Sequence, residues 1–560
     1  MKRVQRQATP AERFWEILPG ALEWLTFILL FVLSWQAPFV VSYFIMLYSL
    51  VWFEKTIHAS VHLFYTYAKL RNAQREYWPQ RLKDLENIPA ALARLEAALK
   101  RLAAPTTPNR SQRAVRQERR QLKRRLAELL PLKGRTDLIP WRSVWHVMLL
   151  PTYNEPTDVL IRSIQAIERS RYPLDRIFVV VGLEERAGAE GLAKGQALQE
   201  RFSRTFGGFM TTVHPDGIAG EAKVKSANAT YALSQFVPEL KRRGVDLQRV
   251  LVSNFDADTQ PHPDYLSVLT EAFVTTRERL RNSYQPVPVF NNNIWEAPMM
   301  ARLSATGTSF WQMIESSRTH RLVSFSSHAI PLQAVLDVKG WDGTRISEDS
   351  RIFWQCYMRY VSDYSVVPLA TTVSMDAVQD RTWWRTLTAL YKQKRRWAWG
   401  VENLAYLGTN FYGKKKLRIP WYKKLVQVGR MVEGHHSWGT TAIVLALGGW
   451  LPSVLGGPEF TNTVLGQNYL QVTRALLTLA LLGILVSIVV STLMLPKRPD
   501  HVSVRRSLAL FVQWILTPFV TIFFGSLPAL DAHGRLLLGR YMEFQVTPKV
   551  LSPAQKNLPT

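Results

Sequence analysis

Hydrophobic residues follow two patterns along this chain. Near both ends they run almost without interruption, and in the middle they come as short blocks separated by amphipathic stretches. Leu22 to Trp35 and Pro38 to Phe53 are apolar runs parted only by Gln36-Ala37. Each approaches the ~20 residues a helix needs to cross a bilayer, so together they predict a helical hairpin. The first run lies too far from any small-residue cleavage site, and is followed too closely by the second, to be a removable signal peptide. Trp438 to Leu455, Val472 to Leu495 and Leu508 to Leu530 form a second apolar block, with Val472–Leu495 the strongest and Arg474 its only charge.

Lys and Arg near span ends set orientation. Lys2, Arg3, Arg6 and Arg13, and the basic stretch after the second run, place both in the cytoplasm, whereas Gly456 to Gln471 lacks Lys and Arg and fits an external loop. Lys497, Arg498, Arg505 and Arg506 fit an internal one. Five complete spans would leave a tail bearing Arg535, Arg540 and Lys549 outside, in conflict with that rule. Pro518 interrupts the last run, which therefore bends, re-enters or lies in the interface, and the count stays between four and six.

Between the blocks, Arg71 to Arg135 is polar. Leu92, Leu95, Leu99 and Leu102 recur at helical spacing, Pro105-Thr106-Thr107-Pro108 breaks the helix, and a second is expected from Ser111 to Leu130, dense in Arg119, Arg120, Lys123, Arg124 and Arg125. The expectation is a solvated helical hairpin beside anionic headgroups. Interleaved aromatics and nucleic-acid motifs are missing, which argues against a nucleic-acid partner. From Ser143 to Pro368, Val144–Leu150, Ile177–Val181, Met210–Val213 and Val250–Phe255 read as strands, and Pro156–Ser170, Ala222–Phe236 and Pro263–Leu280 as helices. That alternation predicts an α/β domain with a largely parallel sheet whose ligands sit beyond the carboxyl ends of the strands.

Composition adds two limits. The 560 residues carry a formal charge of +27, which suits anionic lipid, a phosphorylated substrate or nucleic acid without choosing among them. Cys356 is the only cysteine, so neither a disulfide framework nor a multi-cysteine metal site can form, and its apolar neighbours suggest a packed thiol.

Five polar clusters fall in a fixed order through the middle and beyond it. Asn254-Phe255-Asp256-Ala257-Asp258 follows the β-branched run Val250-Leu251-Val252. Strand alternation sends Asp256 and Asp258 to one side, where they can share a hard divalent cation with phosphate. Upstream are Pro151-Thr152-Tyr153-Asn154-Glu155 and Lys223 with Asn228; downstream are Ser347-Glu348-Asp349 and Gln393-Lys394-Arg395-Arg396-Trp397.

In this order the clusters resemble a membrane-integrated family 2 glycosyltransferase of the cellulose synthase and hyaluronan synthase type, over roughly Val144 to Gly400 and the flanking spans. The resemblance implies an α/β GT-A domain with a mixed, mainly parallel sheet, joined to an α-helical transmembrane domain. It implies sugar transfer from a nucleotide diphosphate donor, most simply a UDP-sugar, to a glycan or lipid-linked acceptor. Thr152, Tyr153 and Glu155 match P-x-Y-N-E and would bind the base and ribose, while Glu184 stands where an aspartate is usual, which leaves base identity open. Lys223 would hold the diphosphate, with Lys225 the alternative. Asp258, supported by Asp256, would hold Mg²⁺ or Mn²⁺. Ser347-Glu348-Asp349 stands for T-E-D, with Asp349 the general base and Glu348 positioning; an N-cap and acidic first turn is the plainer role for the same residues. Gln393-x-x-Arg396-Trp397 matches Q-x-x-R-W, with Arg396 forking onto phosphate and Trp397 and Gln393 meeting the acceptor.

The expected division is a transmembrane hairpin over 1–70, a basic helical segment over 71–140, the GT-A domain over 141–378, interfacial helices over 379–436 and a C-terminal transmembrane region over 437–560. The expected activity is inverting, metal-dependent polysaccharide synthesis at the cell membrane, with a cytoplasmic catalytic domain and product passing through the spans. Transfer of one sugar to a lipid carrier and a catalytically silent scaffold are the alternatives. The short stretch after Leu530 leaves no room for a C-terminal β-barrel regulatory domain such as some cellulose synthases carry.

Overall fold

A computed structural model describes residues 8–103, 112–413, 417–500, 502–503 and 510–543. The Pro105–Pro108 break and Lys2, Arg3, Arg6, Ser111, Arg505, Arg506 and Lys549 lie outside them. The hairpin expected at the N-terminus is α1 (Pro10–Gln36) and α2 (Pro38–Ala73). α1 starts well before its apolar run because Thr9 and Glu12 form a capping box around Pro10. α3 (Trp78–Asp84), α4 (Ile88–Ala103) and α5 (Gln112–Leu129) make the basic segment. It is not purely a solvated hairpin: Arg81 Nη2 and Arg125 Nη1 both reach Glu271 Oε1 at 2.7 Å, and Arg125 Nε reaches Asp84 at 3.2 Å. These buried pairs dock the hairpin onto the globular domain, while Arg119, Arg120, Lys123 and Arg124 stay exposed.

The globular domain is one sheet of eight strands in the order β3-β2-β1-β4-β7-β6-β8-β5. Its members in chain order are β1 (Trp145–Pro151), β2 (Ile177–Glu184), β3 (Gly208–His214), β4 (Val250–Asn254), β5 (Gln260–Pro261), β6 (Asn282–Phe290), β7 (Ala329–Pro331) and β8 (Ser365–Met375). β1 runs parallel to β2 and β4, β2 to β3, and β6 to β8; β7 opposes β4 and β6, and β5 opposes β8. The sheet is therefore mixed and mainly parallel. Alternation divides β1 between its faces: Met148 and Leu150 pack with α6 (Thr157–Glu168), α7 (Gly188–Phe202) and α9 (Tyr265–Thr275). Val147 and Leu149 pack with α8 (Lys225–Arg242), α11 (Leu332–Asp337) and α12 (Glu348–Arg359). Cys356 is buried in that second core, as a packed thiol would be. α10 (Met299–Ser316) packs β6 against the end of α2, and α13 (Trp383–Ala398) and α14 (Glu402–Tyr412) lead back to the spans.

α15 (Trp421–Leu447) leads through α16 (Leu451–Leu455) and α17 (Gly457–Thr461) to α18 (Val464–Ala480) and α19 (Leu482–Met494). Among the described residues five helices are long and apolar enough to cross a membrane, the last covering Leu510–Leu537. That last one is broken, with Pro518 and Pro528 on either side of a π turn at Ile522–Ser526. Leu510 packs with Phe290 and Trp295 of the globular domain. At the other end, Asp531 takes Arg395 of α13 at 2.8 Å, and the carbonyls of Leu536 and Leu537 take Arg13 of α1. Both ends thus lie on the globular-domain side, the arrangement of a segment that turns back, which would remove the charge conflict of a five-span count. Its turn is fixed by buried polar contacts: Glu23 meets His533 at 2.6 Å, and His533 meets His435 at 3.2 Å. Gly439 admits that carboxylate, since a Cβ there would stand 2.2 Å from Glu23 Oε1.

Candidate active site

Neighbouring strands β1 and β4 end side by side and deliver two of the clusters together. At the β1 end, Glu155 Oε2 accepts from Thr152 Oγ1 and the Tyr153 amide, both at 2.8 Å, which closes the loop on itself. The Tyr153 ring is covered by the Arg186 guanidinium at 4.2 Å, and Arg186 also pairs with Glu184 at the end of β2. Asn228 of α8 ties in here, donating to the Gly182 carbonyl at 2.9 Å. A Cβ at Gly182 would collide with Asn228 Oδ1, so a larger residue there must displace that side chain.

Lys223 lines a cleft with Glu184, Arg186, His214 and Asp216, and its ammonium pairs with Asp216 at 2.7 Å. The lysine among the carboxylates of the other clusters is Lys225, the alternative to Lys223. Val224 is the N-cap of α8, so Lys225 starts the helix and points inward. Its Nζ lies 2.6 Å from Asp256, 3.6 Å from Glu348 and 3.9 Å from Asp349. Burial opposes its charge, but Asp256, Asp349 and Glu348 outweigh that and raise its pKa. Glu348 is also raised, by burial first and then by Asp349, so it tends to hold its proton near neutrality. Replacing Lys225 by Met leaves three carboxylates facing one another. Loss of one partner from such a buried set is expected to destabilise the fold by about 3–5 kcal/mol, read in a denaturant or thermal melt; a wild-type transition would contradict this.

Asp256 accepts from Ser326 Oγ with its second oxygen, at 2.6 Å. Asp258 Oδ2 accepts the Asp376 amide at 3.1 Å, and Asn292 bridges the Asp258 carbonyl and the Asp376 carboxylate. Asp349, in the first turn of α12, sits 3.7 Å from His328 Nδ1, and its Oδ1 makes no hydrogen bond. His328 is fully buried, bonded to the Phe325 carbonyl and held below its ordinary pKa by burial. Ser347 is the N-cap of α12 by position, yet its hydroxyl turns to Glu402 Oε1 at 2.7 Å and caps nothing.

α13 carries Gln393, Arg396 and Trp397. Trp397 packs on Phe290 at the end of β6, with ring centroids 5.9 Å apart, and in the cluster of Met375 and Ala377. Those two flank Asp376, which touches Asp258. A continuous set of contacts therefore runs from Asp349 through Lys225 and Asp256, and from Asp258 through Asp376 to Trp397. Gln393 and Arg396 are half-buried on the same helix. Asp376, Asn292 and Arg186 belong to none of the five clusters that the residue order marks.

Among the described residues no group of three or more His, Cys, Asp or Glu forms a ready metal cage. The oxygen-only donors at Asp256 and Asp258 suit a hard cation that takes part of its shell from a diphosphate. Residues 251–526 match the family described as Glycosyl transferase family group 2. Among solved structures, the chain is similar to the mannosyltransferase PcManGT from Pyrobaculum calidifontis in complex with GDP-Man and Mn²⁺. The two are 15% identical, with 70% of this chain and 98% of that one covered and a TM-score of 0.38. Residues 1–349 of TarS from S. aureus, in complex with UDP-GlcNAc, are 12% identical, with 59% and 92% covered and a TM-score of 0.28. No curated protein sequence matches.

Proposed function

We propose that this chain, whose residues 251–526 match the family described as Glycosyl transferase family group 2, is an inverting, metal-dependent synthase that extends a polysaccharide at the cell membrane. One observation carries the reading: carboxylates from two distant segments converge on Lys225, and the same strand ends reach Trp397 through Asp376. A sugar nucleotide laid across the ends of β1 and β4 has its base between Tyr153, Arg186 and Glu184, near the cleft that Lys223 lines. Its diphosphate lies near Lys225, Asp258 and Arg396. Asp258, with Asp256, would hold Mg²⁺ or Mn²⁺, which neutralises charge on the leaving diphosphate. Asp349 takes the proton of the acceptor hydroxyl as it attacks the anomeric carbon, and one base suffices for inversion. Trp397 gives the acceptor sugar a flat apolar face, with Gln393 beside it.

The division at residues 70, 140, 378 and 436 separates hairpin, basic segment, catalytic domain, interfacial helices and C-terminal membrane region. Arg13, Arg71 and Lys497 put the catalytic domain in the cytoplasm by the charge rule, and with a returning last segment Arg535 and Arg540 are there too. Donor turnover with a panel of nucleotide sugars, with and without Mn²⁺, tests the activity on detergent-purified protein. A pulse–chase then tests extension: long products from few started chains are expected, whereas uniform single additions would assign the chain to transfer onto a lipid carrier.

A further inference from the structure

Lys394 lies inside the Gln393–Trp397 segment, yet the proposed reaction gives it no task. It is 8% exposed, and its Nζ donates to Thr308 Oγ1 of α10 at 2.6 Å. The same atom stands 4.4 Å from the centroid of the Trp397 ring, three residues on along the same face of α13. Among the described residues no carboxylate pairs with it. The charged groups on the elements packed around it are engaged elsewhere. On α10, Arg302 donates to Gln513 and Glu315 meets Arg318 and Arg321. On the Leu527–Leu537 helix, Asp531 takes Arg395 and Arg535, and His533 takes Glu23. The Ile522–Ser526 turn carries no charge.

An ammonium buried with one hydroxyl and one ring for company is costly, and an apolar side chain of the same length would be less so. Its charge acts on the indole face, where the ring quadrupole attracts it, while Phe290 supports the ring. We infer that Lys394 is a positioning residue that sets the Trp397 ring against the acceptor by holding its ammonium between Thr308 and the indole. The inference rests on Trp397 as the acceptor platform. Burial alone pulls Lys394 down to about 7, so the charge is present below that pH and is lost as pH rises through it. Loss of the attraction loosens the ring and weakens acceptor binding.

The test measures kcat, donor KM and acceptor KM at pH 6, 7 and 8, with a short oligosaccharide of the donor's own sugar as acceptor probe. Wild type, K394R, K394M and T308V are compared. In wild type the acceptor KM is expected to rise about 2- to 30-fold from pH 6 to 8, with donor KM flat. K394R keeps its charge throughout and should give a low, flat profile, K394M a high, flat one, and T308V a raised KM at every pH. An acceptor KM in K394M that matches wild type at each pH overturns the inference. So does a K394M whose donor KM and melting temperature change while the pH profile persists, because that describes a structural role only. Absence of turnover by wild type with every nucleotide sugar overturns the reading of the site and this inference with it, whereas turnover with an unchanged K394M profile overturns this inference alone.

Discussion

Asp349→Asn is expected to lower sugar transfer by about 10²–10⁴-fold, the usual contribution of a positioned general base, while leaving donor affinity and the melting transition close to wild type. Asp256 is committed to Lys225 and Ser326. Glu348 is buried, and burial together with Asp349 pushes its pKa up, so near neutrality it is a poor base. Asp349 is more open, with 21% of its side chain exposed, and its Oδ1 lies unbonded near Lys225 and His328. Its backbone carbonyl is held by Ser324 at 2.7 Å, so an amide in its place keeps the same position. Glu348→Gln imitates the protonated side chain and should retain transfer within about tenfold. Steady-state transfer, equilibrium donor binding and a thermal melt on both variants check this. Turnover by Asp349→Asn within tenfold of wild type would move the base to another residue.

Much of this arrangement is legible in the residue order because it depends on local periodicity. The strands at β1, β2, β3 and β4 and the apolar hairpin follow from short-range pattern and length, and the acidic pair at Asp256 and Asp258 follows from its place after a buried strand. What was not legible depends on long-range partners. Lys223 and Lys225 differ only in where α8 begins, and that is settled by Val224 as its N-cap and by Ala222 donating its amide to the Gly343 carbonyl. Asp376 reaches Asp258 because β5, which begins two residues after Asp258, pairs antiparallel with β8 and sets Gln260 opposite Ser374. β7, three residues long, turns part of the sheet antiparallel and has no periodicity to announce it. The last apolar run reads as a span by composition, yet Arg13, Glu23 and His435 on two other helices draw its end back toward the globular domain.

The second large effect belongs to the metal aspartate. Asp258→Asn is expected to reduce transfer on the order of 10³-fold, equivalent to several kcal/mol of charge stabilisation on the leaving diphosphate. Chelation of wild type with EDTA should do the same, reversed by added Mn²⁺ or Mg²⁺. The two aspartates of the motif are not equivalent here. Asp256 is tied to an ammonium and a hydroxyl, so its loss frees Lys225 and should show mainly as lower fold stability and weaker donor binding. Asp258 is held by the Asp376 amide, a contact that orients one oxygen without neutralising the carboxylate. Titrating Mn²⁺ against enzyme and donor therefore separates them: Asp258→Asn shifts the Mn²⁺ midpoint to higher concentration, and Asp256→Asn leaves it near wild type. Because the Asp376 contact comes from its backbone, Asp376→Asn should also leave the midpoint near wild type. Equal Mn²⁺ midpoints for Asp258→Asn and wild type, measured by Mn²⁺ binding as well as by activity, would remove Asp258 from the metal and leave the diphosphate to Lys225 and Arg396.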